Sequence, residues 1–344
     1  MARVLLGMSG GVDSSVSALL LRQQGHEVLG CCLLLAPQTS ADDARTAAAQ
    51  MNIPFHVVDA REAFERDVME PFVAQYRCGL TPSPCVHCNR TCKFPLLLRT
   101  AHELGCDAIA TGHYARVQQD AASGRWQLLR GLNAHRDQSY MLCGLSQEML
   151  SRLLFPLGDF DKNEVRALAH QAGLTVASKS DSQDLCFVPD GDHLAFLARR
   201  GVVDAPGDIV DAQGRVLGQH KGLHRYTQGQ RKGIEIPGPY PYYVLDKDIA
   251  GNKLVIGTAD ELGLASCLVN GVNWITPTPA APIRARVKVR YRQTAVPATV
   301  KPLPDAAARV RFDTPMTASA PGPACVFYGG DLVLGGGIIA PGPR

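Results

Sequence analysis

RVLLGMSGGVDSSVSALLLRQQG, residues 3–25, decides the fold. Its first part, RVLLGMS (3–9), is a short apolar run of the kind that forms a strand buried on both faces. SGGVDS (9–14) follows, and its glycines let the chain turn so sharply that several backbone N–H groups point at one spot. SSVSALLLRQQG (14–25) then has helical spacing and stops on glycine. A helix N-terminus adds partial positive charge to those N–H groups, so the turn suits a pyrophosphate. It lacks the G-K-[ST] ending of a loop built to cleave a γ-phosphate, and G-K occurs nowhere in the chain.

Outward from this stretch, strand and helix keep alternating. HEVLGCCLLL (26–35), FHVVDA (55–60) and DAIATGHY (107–114) read as further strands, with ADDARTAAAQM (41–51) and REAFERDVMEPFVAQY (61–76) as helices. Near-continuous apolar strands separated by helices indicate a parallel sheet covered on both faces. The pattern changes near residue 190 to glycine, proline and short strand-like runs. From about 263 the chain alternates in short strands such as VKVRYRQ and ARVRFD. The expected fold class is α/β: a parallel sheet with its helices over residues 1–190, a small central domain over 191–262, and a C-terminal β-barrel or sandwich over 263–344.

The 344 residues, 46% apolar and 19% charged, describe an ordinary folded chain of two or three domains. No run of 18 apolar residues occurs, so no membrane partner is expected. MARVLLGMSGG lacks a signal peptide's long apolar stretch and cleavage site, which favours a cytoplasmic protein. A net charge of +3 neither demands nor excludes nucleic acid.

Eleven cysteines in a large chain without an export signal point to reduced, metal-bound or catalytic thiols rather than disulfides. Cys31, Cys32, Cys106 and Cys143 lie in apolar runs and read as small buried hydrophobes. TPSPCVHCNRTCKF (81–94) is different. It holds Cys85 and Cys88 at C-x-x-C spacing, with Cys78, His87 and Cys92 nearby, enough side chains for a zinc ion. Only one C-x-x-C is present, however, and a histidine inside it is poorly placed to bind the same ion.

SGGVDS together with ATGHYAR, RGLNAHRDQSYML, SKSDSQDLCFVPDGD and FYGGDLVLGGGII resembles the PP-loop ATP pyrophosphatases and, within them, the bacterial tRNA-specific 2-thiouridylases. The resemblance runs along essentially the whole chain. It implies ATP-dependent 2-thiolation of the wobble uridine of the lysine, glutamate and glutamine tRNAs, through adenylylation of O2. By that resemblance Gly7, Met8, Ser9, Gly10, Gly11, Val12, Asp13 and Ser14 hold ATP, with Leu33 on the adenine and Gly112 nearby; Asp13 is a candidate to orient Mg²⁺. Cys88 matches the nucleophilic cysteine and Cys186 the cysteine that takes persulfide sulfur. His113, Arg136, Asp137, Gln138, Arg290 and Tyr291 match positions that meet tRNA. A sulfur-carrier protein or cysteine desulfurase is the implied donor.

Two departures stand out. Cys85 replaces an aspartate given an acid/base role in relatives, and a thiol is a far poorer proton shuttle near neutral pH. With Cys88 and Cys186 it makes three thiolates, a set suited to a [4Fe–4S] cluster with one open iron. Cluster, persulfide with disulfide formation, and zinc all stay open here. Pro323 stands where relatives carry a glutamine that approaches tRNA.

One RNA signal is independent of the resemblance. RARVKVRYR (284–292) spaces Arg284, Arg286, Lys288, Arg290 and Arg292 two apart, hence on one face of a strand, with Ala285, Val287, Val289 and Tyr291 facing a core. Five like charges on one face suit a polyanion. HKGLHRYTQGQRKG (220–233) reads as a mobile loop over that RNA.

Overall fold

A computed structural model describes residues 1–179, 185–188, 191–317 and 320–341. Five parallel strands form the first sheet: β1 (Arg3–Gly7), β2 (Glu27–Leu34), β3 (Phe55–Asp59), β4 (Ala108–Thr111) and β7 (Leu153–Leu154), in the order β3-β2-β1-β4-β7. Period-two alternation divides β1 between the two faces. Val4 and Leu6 pack with Val16 and Leu20 of helix α1 (Val12–Gln23), with Ala44 and Ala48 of α2 (Asp42–Gln50), and with Val165 of the helix Lys162–Gln171. Leu5 turns the other way, against Phe94, Leu97 and Ala101 of the helix Phe94–Glu103. Cys31, Cys32, Cys106 and Cys143 are buried in these cores.

The central sheet has the order β10-β11-β8-β9, from β8 (Gly207–Val210), β9 (Val216–His220), β10 (Tyr243–Asp248) and β11 (Lys253–Gly257). Residues 226–230, expected as a mobile loop, are instead stitched to β10 by Gly229 N–H to Val244 O (2.8 Å) and Val244 N–H to Gln230 O (2.9 Å). The domain boundary expected after residue 190 lies outside the described residues.

The third unit is a closed six-stranded barrel. Around it run β12 (Gly263–Trp274), β15 (Ala307–Thr317), β14 (Val296–Leu303), β13 (Ile283–Lys288), β16 (Ala324–Gly329) and β17 (Leu332–Ile339), which pairs back onto β12. Two features were not foreseen. The hairpin β5 (Ala115–Gln119) and β6 (Trp126–Arg130), from the first domain, extends the barrel's sheet beside β17. The core around Leu5 and Phe94 also runs on without a break into Ala324, Val326 and Tyr328 of β16. Sheet and barrel therefore share one core.

The five-charge strand face needs correcting. β13 ends at Lys288, so Arg290 and Arg292 follow it in a turn. Lys288 itself is only 7% exposed, with its ammonium 5.8 Å from the rings of Tyr140 and Tyr291. Arg284 is ion-paired to Asp313, and Arg286 donates to Ala295 O. Simple alternation fails because the strand stops where the barrel meets the first domain.

The cysteine segment is held from two sides at that meeting point. Lys247 Nζ of β10 donates to Gly79 O (3.0 Å), Thr81 N–H donates to Pro321 O (2.9 Å), and Ala324 N–H donates to Ser83 Oγ (3.1 Å). Gly79 has φ +70°, and a Cβ there would lie 2.1 Å from Ile249 Cδ1. Ile249 is exposed and its tip can swing aside, so the strain of the positive φ carries the cost, and Gly79→Ala should destabilise this junction by about 1–3 kcal/mol. Limited proteolysis should then cut the variant within residues 79–84 and leave the wild type intact; equal resistance would refute the junction's importance.

Candidate active site

In this sheet the chain moves from β1 through β2 to β3 on one side, then crosses to β4 on the other. Ligands of open α/β sheets gather beyond the strand ends at such a reversal. The turn after β1 is built for one. Gly10 has φ +73°, and a Cβ on it would meet Asp43 Cβ at 2.4 Å. Gly11 caps α1 with extended backbone and no side-chain hydrogen bond, so the helix's first N–H groups stay available. Ser14 Oγ and Ser15 Oγ tie back to Gly11 O at 3.1 and 3.0 Å. From the far side Gly112 closes in, where a Cβ would lie 3.0 Å from the carbonyl carbon of Asp13.

Asp13 is occupied. Its Oδ1 accepts from Tyr114 Oη and from Lys162 Nζ, each at 2.7 Å, and Lys162 is only 7% exposed. A second lysine, Lys179, pairs with Asp43 and lies 3.4 Å from Gly10 O. Sequence reading missed both lysines. The D-K-N-E that opens the helix Lys162–Gln171 with a capping box was a legible signal that this residue sits at a helix start.

Beyond the turn lies a cavity of ≈ 380 Å³. Gly7, Met8, Ser9, Asp13, Ser14 and Gly112 line one end, Leu33 the middle, and Cys85, Cys88 and Cys186 the other end. The thiols converge for local reasons. Pro84–Cys88 is one helical turn, so Cys85 and Cys88, three apart, share a face. Asn89–Lys93 widens into a π turn, and the helix resumes at Phe94. Pro95 lacks an N–H to return to Thr91 O and crowds that carbonyl, which opens the turn before it. Cys186 arrives from elsewhere in the chain. Its neighbour Phe187 sits between Phe64, Phe72 and Phe196, with ring centroids 5.1–5.6 Å away, and Gln38 Nε2 donates to Cys186 O at 3.2 Å.

The three thiols are chemically unequal. The Cys92 thiol donates to Cys88 Sγ, and with Lys93 nearby this lowers Cys88 to about 7; Cys92 is pushed up in return. Burial raises Cys85, and burial plus the Cys88 charge raises Cys186 to about 11. No three His, Cys, Asp or Glu side chains among the described residues are grouped to hold a metal ion, so Cys78, Cys85, His87, Cys88 and Cys92 do not assemble a zinc site. His87 faces a separate small pocket with Val68 and Gly322. His113 lines the main cavity with Nδ1 2.7 Å from Thr111 Oγ1; burial holds it well below the usual histidine range, hence neutral.

The remaining predicted residues divide. Gln138 lines the cavity, its Oε1 accepting from Tyr114 N–H at 3.0 Å. Asp137 is 4% exposed and accepts from the N–H groups of Gly131 and Ser139, so it holds a turn from within. Arg136 is half-buried, and its charge acts on Tyr291, as does that of Cys85. Tyr291 lies 6.2 Å from Tyr140 between ring centroids, and Arg290 donates to Gln228 O at 3.1 Å. Pro323 precedes the Ala324 N–H that holds Ser83. Barrel and central domain thus touch each other and the segment that leads into the cysteine helix.

Three family models match the chain: a tRNA methyl transferase HUP domain over residues 2–190, a tRNA methyl transferase PRC-barrel domain over 195–258, and an aminomethyltransferase beta-barrel domain over 265–339. A protein of Geotalea uraniireducens named tRNA-specific 2-thiouridylase MnmA is 47% identical over 359 residues, covering 98% of this chain and 94% of that one. Proteins of the same name from Trichormus variabilis and Syntrophotalea carbinolica are 46% and 45% identical over 347 residues, covering 98% of this chain and 99% and 98% of theirs.

Two outcomes check this geometry. Gly10→Ala should weaken ATP binding about tenfold or more by calorimetry, because both the φ and the Asp43 contact forbid a side chain. In metal-free protein, iodoacetamide should label Cys88 at a distinctly lower pH than Cys186, rates rising with pH because the thiolate reacts. Cys92→Ala should move the Cys88 midpoint upward; an unmoved midpoint would discard the Cys92 donor.

Proposed function

The chain belongs to the tRNA-specific 2-thiouridylase family, and from that premise we propose that it replaces O2 of the wobble uridine in lysine, glutamate and glutamine tRNAs with sulfur. It is an ATP-dependent tRNA-uridine 2-sulfurtransferase. The methyl transferase wording of the family models finds less support than sulfur chemistry does, since Cys85, Cys88 and Cys186 all line the cavity. One observation carries the reading: the phosphate turn and those thiols face each other across a single cavity.

In the proposed reaction the backbone N–H groups of residues 8–14 cradle the ATP phosphates, and Leu33 and Gly112 flank the nucleoside. Uridine O2 attacks the α-phosphorus, and pyrophosphate departs into the turn, where fixed dipoles meet the developing charge. Asp13 is committed to Lys162 and Tyr114 through Oδ1. Mg²⁺ would therefore be held mainly by the phosphates themselves.

The sulfur step needs two thiols. A persulfide on Cys186 attacks C2, forming the C2–S bond as AMP leaves with the electrons of the C2–O bond. Cys88 thiolate then attacks Cys186 Sγ; the S–S bond breaks, the 2-thio group stays on uridine, and a Cys88–Cys186 disulfide forms for an external thiol to reduce. A lowered Cys88 suits the attacking role. A sulfur-carrier protein or cysteine desulfurase would supply the persulfide, and the cytoplasm is the compartment that fits; no helix among the described residues is long and apolar enough to cross a membrane.

A second reading rests on Cys85. With Cys88 and Cys186 it lines the same cavity, although among the described residues the three side chains are not grouped as a metal site in this structure. A [4Fe–4S] cluster held there would supply an open iron for binding sulfur. For the RNA, His113 and Gln138 would meet the flipped uridine, while Arg136, Arg290 and Tyr291 would meet the strand around it. Asp137 would act by holding the Arg136–Gln138 turn.

Thiolation of unmodified tRNA should fall at least about 100-fold in Cys88→Ser and in Cys186→Ser, read as 2-thiouridine by mass spectrometry. Cys85→Ala separates the two sulfur routes. Loss of activity together with loss of iron after anaerobic reconstitution supports the cluster; full activity with no iron in either protein eliminates it.

A further inference from the structure

One side chain in the cavity is unused by this reaction. Lys93 closes the π turn after Cys88 and is the only lysine or arginine, among the described residues, that lines the cavity. Its charge reaches Cys85, Cys88 and Cys186, and it helps to keep His113 neutral. The other nearby ammonium groups are engaged, Lys162 with Asp13 and Lys179 with Asp43. No ion pair among the described residues involves Lys93, and Asp13, the one carboxylate among the described residues that line the cavity, already holds Lys162. A half-buried ammonium without a carboxylate partner favours whatever anion can join it.

The kind of anion follows from the surroundings. Phosphate has its own donors at the opposite end, in the turn after β1. A lone ammonium is a point charge without the two-pronged geometry that selects carboxylate or phosphate. The walls beside it are sulfur and apolar carbon, a soft lining. Cys85, Cys88 and Cys186 line the same cavity as Lys93, so sulfur is the chemistry this ammonium faces.

We propose that Lys93 forms an anion subsite for reduced sulfur, either hydrosulfide or the terminal sulfur of a persulfide, at the thiol end of the cavity. The proposal rests on the sulfurtransferase reading above and concerns binding alone. It serves either route for sulfur delivery, because both bring a negatively charged sulfur to the same three thiols.

The test uses the full chain, unmodified tRNA and sodium sulfide as sulfur source. Lys93→Met should raise the KM for sulfide about tenfold, with the change confined to sulfide rather than ATP, and Lys93→Arg should recover most of the affinity. A second readout needs neither ATP nor tRNA: sulfide should slow iodoacetamide labelling of Cys88 in the wild type and in Lys93→Arg, and should lose that effect in Lys93→Met. Repeating the turnover with a cysteine desulfurase as donor separates the sources. A defect in both arms means the subsite also takes persulfide; a defect with free sulfide alone restricts it to hydrosulfide. An unchanged sulfide KM with unchanged protection, or a rise confined to the KM for ATP, overturns the proposal. Should the wild type release no pyrophosphate when tRNA is added, the sulfurtransferase reading fails instead, and the protection assay still decides the subsite.

Discussion

At the centre of the molecule two stretches of backbone meet with no side chain between them. Gly112, leaving β4, lies so close to the start of α1 that a single added carbon would sit 3.0 Å from Asp13's carbonyl carbon. That approach places the phosphate turn, the exit of β4 and the neutral His113 around one cavity. Lys162 and Tyr114 then fix Asp13, which locks a third element, the helix Lys162–Gln171, onto the same point. A mostly buried lysine is tolerable only because a carboxylate meets it at 2.7 Å. Displacing either partner would leave a poorly hydrated charge beside the turn.

The second constraint ties the cysteine helix to the other two domains. Residues 79–84 are bonded to the central domain at Gly79 and to the barrel at Thr81 and Ser83, and the cysteine helix begins immediately afterwards. The barrel cannot drift independently, because its outer face and the parallel sheet share one core through Leu5, Phe94, Val326 and Tyr328. The thiols are consequently positioned by all three units at once. An RNA seated across barrel and central domain would press on the elements that aim Cys85 and Cys88. The β5–β6 hairpin reinforces this by extending the barrel's sheet from the catalytic side.

The first sheet was legible because its signals are local. An apolar strand, a glycine turn and an amphipathic helix each announce themselves within about a dozen residues, and β1 with α1 follows directly. Alternation marked the C-terminal unit as a barrel or a sandwich, and the pairing of β17 back onto β12 makes it a barrel. What stayed hidden depends on contacts distant in sequence. Lys162 stands 149 residues from Asp13, and nothing in KNEVRALAHQ says which carboxylate it will meet. RARVKVRYR misled for a related reason: alternation predicts faces only while the strand lasts, and this one ends at Lys288 against Tyr140 of another domain. Asp137 looked like a surface contact and lies inside, because the backbone N–H groups of its own turn needed an acceptor. Lys93 was in plain view in TCKF, but only the fold reveals it as the cavity's lone lysine.

Cys85 and Cys88 differ by one helical turn and behave as opposites. Cys88 is buried and Cys85 exposed, yet both line the cavity and lose enough hydration there to raise a thiol. Cys88 escapes because a thiol four residues on donates to it and because the widened turn brings the Lys93 N–H to the same sulfur. Cys85 has neither donor, and the Cys88 charge presses its thiol further up. A thiol kept protonated cannot serve as the base that an aspartate supplies at the same place in relatives. It can still serve as a ligand or remain a spectator, and iron or its absence distinguishes those two. Cys85 and Cys88 thus share one helical turn and differ in the donors that their sulfurs meet.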